Sequence, residues 1–249
     1  MPLADHLREL RNRFLVAAGA VFLATIPAWL FYEPALRTLV KPLQDQGGNV
    51  FFGDLMAPFA LQLQVSLFLS LIVSSPVWVY QIWAFVVPGL TRKEKRTSIG
   101  FLLAAVPLFA AGCAIAYVAL PKAVEILLSF IPPDMRSLIS AADYFGWVTR
   151  FILAFGCAFL LPVFMVALNL VRVLPARAML RGWRVSIIVI FVFAAVITPT
   201  PDPWTMLALA APMVGLYFCA YGIARLIERR RANRRPDWTA TPDDRASEL

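Results

Sequence analysis

Long apolar intervals alternate with short charged segments along most of this 249-residue chain. An α-helix needs about 20 apolar residues to cross roughly 30 Å of hydrocarbon, so an interval near that length predicts a membrane span. The pattern predicts an all-α polytopic membrane protein with six transmembrane helices in one domain over residues 1–226, followed by a polar, disordered tail over residues 227–249. The predicted spans cover about residues 14–32, 61–87, 98–120, 145–171, 185–198 and 203–224.

Two features of these intervals predict an irregular bundle. The fifth, Val185–Thr198, would be only about 21 Å long at 1.5 Å per residue. Such a short helix either thins the bilayer locally or has its polar ends covered by neighbouring helices, and both remain open. The other five intervals each contain a proline, which removes a backbone hydrogen bond and bends a helix, so we expect a cup-shaped bundle. These prolines are Pro27, Pro76, Pro107, Pro162 and Pro212.

The basic residues predict the orientation of the chain. Eighteen arginines and lysines lie in the two terminal segments and in the loops after spans two and four, whereas four lie in the alternate loops. Cytoplasmic loops of membrane proteins carry the excess of positive charge, so both termini are predicted to be cytoplasmic. The alternate loops are acidic on balance, which fits an outer face.

Composition excludes several classes of protein. Hydrophobic residues make up 60% of the chain and charged residues 15%, which a soluble domain of this size could not accommodate. The net charge of +8 is explained by topology, so we expect no nucleic-acid partner. The three cysteines are isolated in apolar runs and His6 is the one histidine, so no metal site or disulfide framework is predicted. Nucleotide-binding glycine motifs are absent, and no cofactor is expected.

Few polar side chains lie inside the predicted spans. The one ionisable residue there is Arg150, close enough to the outer boundary to extend towards water. This scarcity argues against a carrier with a charged midplane site and against a membrane enzyme. Span two contains polar residues at every fourth position, which indicates either helix packing or a wet, partner-facing groove. They are Gln62, Ser66, Ser70 and Ser74.

Two acidic residues stand out on the predicted cytoplasmic surface. Glu9 lies in an amphipathic N-terminal segment and points about 120° away from the mean direction of its apolar residues. Glu94 lies in a loop with cations on both sides. Glu9 could simply pair with Arg13 four residues on, and Glu94 with its neighbours. Together the two carboxylates could instead form a selective site for a ligand with paired cations, because the surrounding basic residues would repel other basic peptides.

Five segments of the chain resemble the TatC family, the six-helix receptor subunit of the twin-arginine protein translocase. The similarity covers roughly residues 4–226 in order. The most specific segment is YQIWAFVVPGL, followed by Glu94. The segments are HLRELRNR at 6–13, KPL at 41–43, YQIWAFVVPGL at 80–90, FG at 155–156 with Pro162, and TPTPD at 198–202.

The resemblance implies a function and a set of site residues. The chain would recognise Arg-Arg signal peptides of folded passenger proteins at the cytoplasmic face of the cell membrane. It would act in a multimeric complex with single-span TatA- and TatB-type proteins, driven by the proton-motive force. Glu9 and Glu94 match the acidic recognition positions, and Arg11 and Phe85 match neighbouring motif positions. Pro42 and Asp202 match outer-loop positions, while Thr198 and Thr205 are candidates for partner docking.

Two departures from the family pattern concern the fourth span and the last outer turn. Leu160 stands where the family usually has Glu or Gln, and an extra Thr-Pro precedes Asp202.

The alternative function, from a different class of protein, is a small-molecule secondary transporter, which should show internal repeats or matched broken spans. We find no convincing repeat between residues 1–120 and 121–249, so the receptor is favoured.

Overall fold

A computed structural model describes residues 3–86, 92–130, 138–170, 173–197 and 203–232. These ranges contain nine helices and two short strands. In chain order they are α1 (Leu3–Leu30), α2 (Tyr32–Gln44), β1 (Asn49–Phe51), α3 (Ala57–Val73), α4 (Ser75–Val86), α5 (Arg92–Leu128), β2 (Leu138–Ser140), α6 (Ala141–Leu170), α7 (Ala176–Arg181), α8 (Trp183–Ile197) and α9 (Pro203–Ala232).

The all-helical class predicted from the apolar intervals is confirmed. The number of spans that the structure supports is four or five, against the six predicted. Four described helices are long and apolar enough to cross a membrane, namely α1, α5, α6 and α9. A fifth span is obtained when α3 and α4 are taken as one bent pair. The remaining predicted span corresponds to α8, an apolar helix of 15 residues, so a sixth crossing stays a prediction.

The second predicted span is broken at Ser74, where α3 and α4 meet at 61°. Pro76 follows two residues later; it lacks an N–H and disfavours helical backbone at the residue before it. The indole Nε1 of Trp78 donates to the Leu71 carbonyl at 2.8 Å, which satisfies one acceptor at the end of α3. The other four prolines lie inside α1, α5, α6 and α9, which continue through them.

Helix α2 was not predicted, because its apolar residues alternate with charged ones. Leu39, Val40, Pro42 and Leu43 are buried along one side of it. The Tyr144 hydroxyl on α6 donates to the Leu39 carbonyl at 2.9 Å, which fixes α2 against the bundle.

The final helix is longer than predicted, because α9 continues past residue 226 to Ala232. Residues 233–249 lie outside the described ranges.

Helix α6 lies at the centre of the core and packs against α3, α5, α8 and α9. Over half of its apolar window is buried (56%), against 6% for α1 at the edge of the bundle. Helices α5 and α6 approach each other closely at Gly112 and Gly156. A Cβ built on Gly112 would lie 2.7 Å from the Phe155 carbonyl oxygen, and one on Gly156 would lie 2.6 Å from the Phe109 ring. Both positions therefore require glycine for the two backbones to meet.

Two connecting segments, which precede α3 and α6, are joined by a parallel strand pair. The register places Asn49 opposite Leu138, Val50 opposite Ile139 and Phe51 opposite Ser140. A turn at Gly47, whose φ of 76° suits glycine, leads from α2 into β1. The pair ties the end of α2 to the start of α6.

We expect the bilayer to be locally thin around α8. A helix of 15 residues is about 22 Å long, less than the roughly 30 Å of hydrocarbon. Spin labels placed singly from Val185 to Val196 should therefore reach a shallower maximum depth, by oxygen-accessibility measurements, than labels along α5. Matching depth profiles on the two helices would show that neighbouring helices cover its ends instead.

Candidate functional site

The N-terminal part of α1 lies against the C-terminal part of α4. The imidazole of His6 stacks on the Phe85 ring with centroids 4.5 Å apart and an angle of 23° between the planes. Two turns along α1, the Arg13 guanidinium Nη1 donates to the Gln81 Oε1 at 3.5 Å. Two contacts thus hold α1 to the end of α4, and Glu9 lies between them along α1.

His6, Glu9 and Arg13 form one stripe of α1, because residues three and four apart share a helical face. The structure therefore brings two predicted site residues, Glu9 and Phe85, to the same pair of helices. It adds His6, Arg13 and Gln81, none of which was predicted as a site residue; Arg13 was predicted only as a pairing partner of Glu9. The spacing of His6, Glu9 and Arg13 in the sequence contained this signal, since all three positions point in one direction.

Glu9 forms an ion pair with Arg13, as one of the sequence interpretations predicted. Arg13 donates to Glu9 Oε1 from Nη2 at 2.6 Å and from Nε at 2.9 Å. The side chains remain 29% and 26% exposed for Glu9 and Arg13, respectively. Within the described residues, Glu9 Oε2 has no partner, so the carboxylate retains an acceptor for a ligand's guanidinium.

Arg11 lies away from this stripe. It is two residues from Glu9, or about 200° around the helix, and its side chain is exposed. Its Nη2 lies 3.4 Å from the Oδ1 of its neighbour Asn12. The structure therefore does not bring Arg11 together with Glu9 and Phe85.

The other predicted site residues either lie away from the α1–α4 contact or are not fully within the residues that the structure describes. The backbone of Glu94 lies in the first turn of α5, and that of Thr205 in the first turn of α9, but neither side chain is among those described. Thr198 and Asp202 lie outside the described residues. Pro42 is buried in the last turn of α2, so this predicted outer-loop position is helical.

Three of the four polar residues that recur along the second predicted span are buried, and so is Leu160. Ser66, Ser70 and Ser74 are buried on α3 and at its end, and the Ser70 hydroxyl donates to the Leu67 carbonyl at 2.8 Å. This burial favours helix packing over a wet groove. Leu160 is 5% exposed in the core of α6, so this chain places an apolar side chain at that position.

Metal-ligating residues do not cluster in the described part of the chain: no group of three or more His, Cys, Asp or Glu side chains comes together there. Cys113, Cys157 and Cys219 are all free thiols. The groups that the α1–α4 contact offers to a ligand are the Glu9 carboxylate and the Phe85 ring, next to basic side chains of α1. Such a surface suits recognition of a cationic peptide.

Comparisons with known proteins agree with this architecture. A family profile described as Sec-independent protein translocase protein (TatC) matches residues 5–212. The Sec-independent protein translocase protein TatC of Xylanimonas cellulosilytica is 46% identical over 241 residues, which cover 94% of this chain and 87% of the relative. The chloroplastic TATC protein of Arabidopsis thaliana is 36% identical, with 92% of this chain and 68% of the relative covered.

A solved structure matches as well. The crystal structure of the twin arginine translocase receptor TatC superimposes with a TM-score of 0.76 at 29% sequence identity. The match covers 89% of this chain and 98% of the other. The resemblance found in the motifs thus extends to the arrangement of the helices.

Proposed function

Because this chain belongs to the TatC family of Sec-independent protein translocase proteins, we propose that it captures Arg-Arg signal peptides at the joint between α1 and α4. The chain is a membrane component of protein transport, and that class of protein is not an enzyme family. Glu9, Phe85 and Glu94 would carry the recognition step, and Arg11 would act from the opposite face of α1. Passenger proteins would cross the membrane folded.

The observation that carries this proposal is the placement of Glu9. Its carboxylate is held by Arg13 through one oxygen while the other has no described partner, and it lies between two contacts to α4. Arginine binds a carboxylate through a planar fork, whereas lysine presents a single point charge. A second carboxylate at Glu94, on the helix that follows α4, would complete a site for two adjacent arginines and discriminate against two lysines.

The proposed topology places this site in the cytoplasm. Six crossings, with α3 and α4 as one bent span and α8 as a short one, put both termini on the same side of the cell membrane. The excess of basic residues on that side supports it. The 61° bend between α3 and α4 supports a curved, cup-shaped bundle, along which the apolar part of a signal peptide could lie.

The proposed partners are single-span TatA- and TatB-type proteins in a multimeric complex energised by the proton-motive force. Helix α8 supports this, because its exposed apolar residues recur at helical spacing and form a stripe available to another membrane helix. Thr198 and Thr205 follow α8 in the sequence and remain docking candidates. The stripe consists of Val185, Ile188, Val189, Val192 and Val196.

The experiment is site-specific photocrosslinking of the purified protein to two signal peptides that differ only in Arg-Arg or Lys-Lys. A photoreactive residue at Gln81 should label the Arg-Arg peptide at least about tenfold more strongly, since two charge-assisted pairs lose their bidentate geometry with lysine. A photoreactive residue at Gln46, beyond α2, serves as the control and should label neither peptide. Equal labelling of both peptides at Gln81 would refute the receptor proposal.

A further inference from the structure

A charged cavity lies between α7 and α9, and none of its lining residues belongs to the α1–α4 contact. It has a volume of about 400 Å³ and lies at the last turns of the apolar window Ala210–Arg230 of α9. It is therefore at the level where a membrane span meets water. Three arginines, one glutamate and an apolar wall line it, namely Arg177, Arg225, Arg229, Glu228, Leu180 and Tyr221.

Hydrogen bonds hold the wall formed by α7 in place. Glu228 Oε1 on α9 accepts from the Asn169 amide Nδ2 and from the Ala176 backbone N–H, both at 2.8 Å. Asn169, which is 2% exposed, also donates to the Leu174 carbonyl at 2.9 Å. The buried Tyr217 hydroxyl on α9 donates to the Met179 carbonyl at 2.6 Å. Helix α7 is thus fixed to α9, and Arg177 is presented from a preorganised segment.

The three arginines of this cavity outnumber its one glutamate, so the lining carries a net positive charge. Within the described residues, none of the three guanidinium groups has an ion-pair or hydrogen-bond partner. Glu228, the one acidic residue lining the cavity, has its Oε1 engaged in the contact with α6 and α7. Arg225 and Arg229 are four residues apart on one helical face, where like charges repel. A bound anion would remove that repulsion.

We propose that this cavity binds the phosphodiester headgroup of an anionic phospholipid. Guanidinium groups bind phosphate through paired hydrogen bonds, and basic pockets between membrane helices recognise anionic headgroups. Leu180 and Tyr221 supply an apolar wall for the glycerol and the first acyl carbons, which a free phosphate would not use. The site is separate from the proposed signal-peptide site, and its lipid would tie α7 and α9 to the membrane surface.

The test is native mass spectrometry of the full-length protein in detergent, titrated with dioleoylphosphatidylglycerol or with dioleoylphosphatidylcholine, which has the same acyl chains. We expect the wild type to bind phosphatidylglycerol at least about tenfold more tightly than phosphatidylcholine. Arg225→Gln with Arg229→Gln removes two charge-assisted guanidinium–phosphate contacts. Loss of one such contact lowers an affinity about tenfold, so the affinity for phosphatidylglycerol should fall by at least that factor.

The matched control carries Arg181→Gln on α7 and Arg230→Gln on α9, which remove the same total charge at positions that do not line the cavity. It should change the affinity less than about twofold. An equal loss of affinity for phosphatidylglycerol in both double variants would show that general surface charge causes the effect, and would overturn the proposal. So would equal binding of the two lipids, or displacement of phosphatidylglycerol by millimolar inorganic phosphate, which would identify a free-phosphate site. Both variants change exposed residues, and an unchanged elution profile would confirm their folding.

Discussion

The Glu9→Lys variant should capture an Arg-Arg signal peptide at least about tenfold more weakly than the wild type. The substitution removes the acceptor and places a second cation beside Arg13 on the face that meets α4. A hydrogen bond between charged groups contributes about 1.5–3 kcal/mol, and 1.4 kcal/mol is a tenfold change in affinity. Crosslinking yield as a function of peptide concentration gives the apparent affinity. Glu94→Lys is expected to act in the same direction.

The chain offers a matched control for this variant. Glu33 and Arg37 on α2 form the same type of pair, four residues apart with Nη2 to Oε1 at 2.6 Å. Glu33→Lys should leave peptide capture unchanged, and neither variant should unfold the protein, because a helical pair of this spacing contributes about 0.3–0.5 kcal/mol. Unchanged capture by Glu9→Lys, or an equal loss with Glu33→Lys, would remove Glu9 from the recognition site.

Replacing Gly112 by alanine is expected to destabilise the bundle by about 1–3 kcal/mol, the usual cost of overpacking a core. The added methyl group would lie 2.7 Å from the Phe155 carbonyl oxygen and 3.0 Å from the Gly156 Cα, both of which belong to the backbone of α6. Backbone atoms of a central helix cannot rotate away as a side chain can. The apparent melting temperature in detergent, followed by size-exclusion chromatography after heating, should fall by several degrees.

Gly100 on the same helix is the control, because nothing lies within 4 Å of a Cβ built there. Gly100→Ala should leave the melting temperature unchanged or raise it, since alanine favours a helix by up to about 1 kcal/mol over glycine. The contrast between the two substitutions separates close packing from helix propensity. If Gly112→Ala were as stable as Gly100→Ala, α5 and α6 would not be in contact through that glycine.

The apolar intervals predicted the helices of the bundle because span length and composition follow directly from the thickness of the hydrocarbon layer. They did not predict α2, whose charged residues interrupt the apolar pattern, nor the length of α9, which continues through its basic segment. Pro76 was one of five predicted bend positions. The structure breaks the helix beside it, at Ser74, and continues α1, α5, α6 and α9 through their prolines.

The candidate site was partly predictable for a similar reason. The pairing of Glu9 with Arg13 and the position of Glu9 away from the apolar face follow from helical spacing alone. The stacking of His6 on Phe85 joins residues that are distant in sequence, and no local pattern specifies which helix end lies beside which. The same limit applies to the contact of Glu228 with Asn169 and Ala176, which the motifs did not indicate.

The parallel pairing of β1 with β2 determines which parts of the protein can move separately. These strands hydrogen-bond the segment before α3 to the segment before α6, so α3, α4 and α5 are contained in a loop closed at both ends. Spreading the helices at this end would break backbone hydrogen bonds, whereas spreading them at the opposite end would not. A passenger or partner that separates these helices would therefore open the bundle as a hinged wedge, with the strand pair at the pivot.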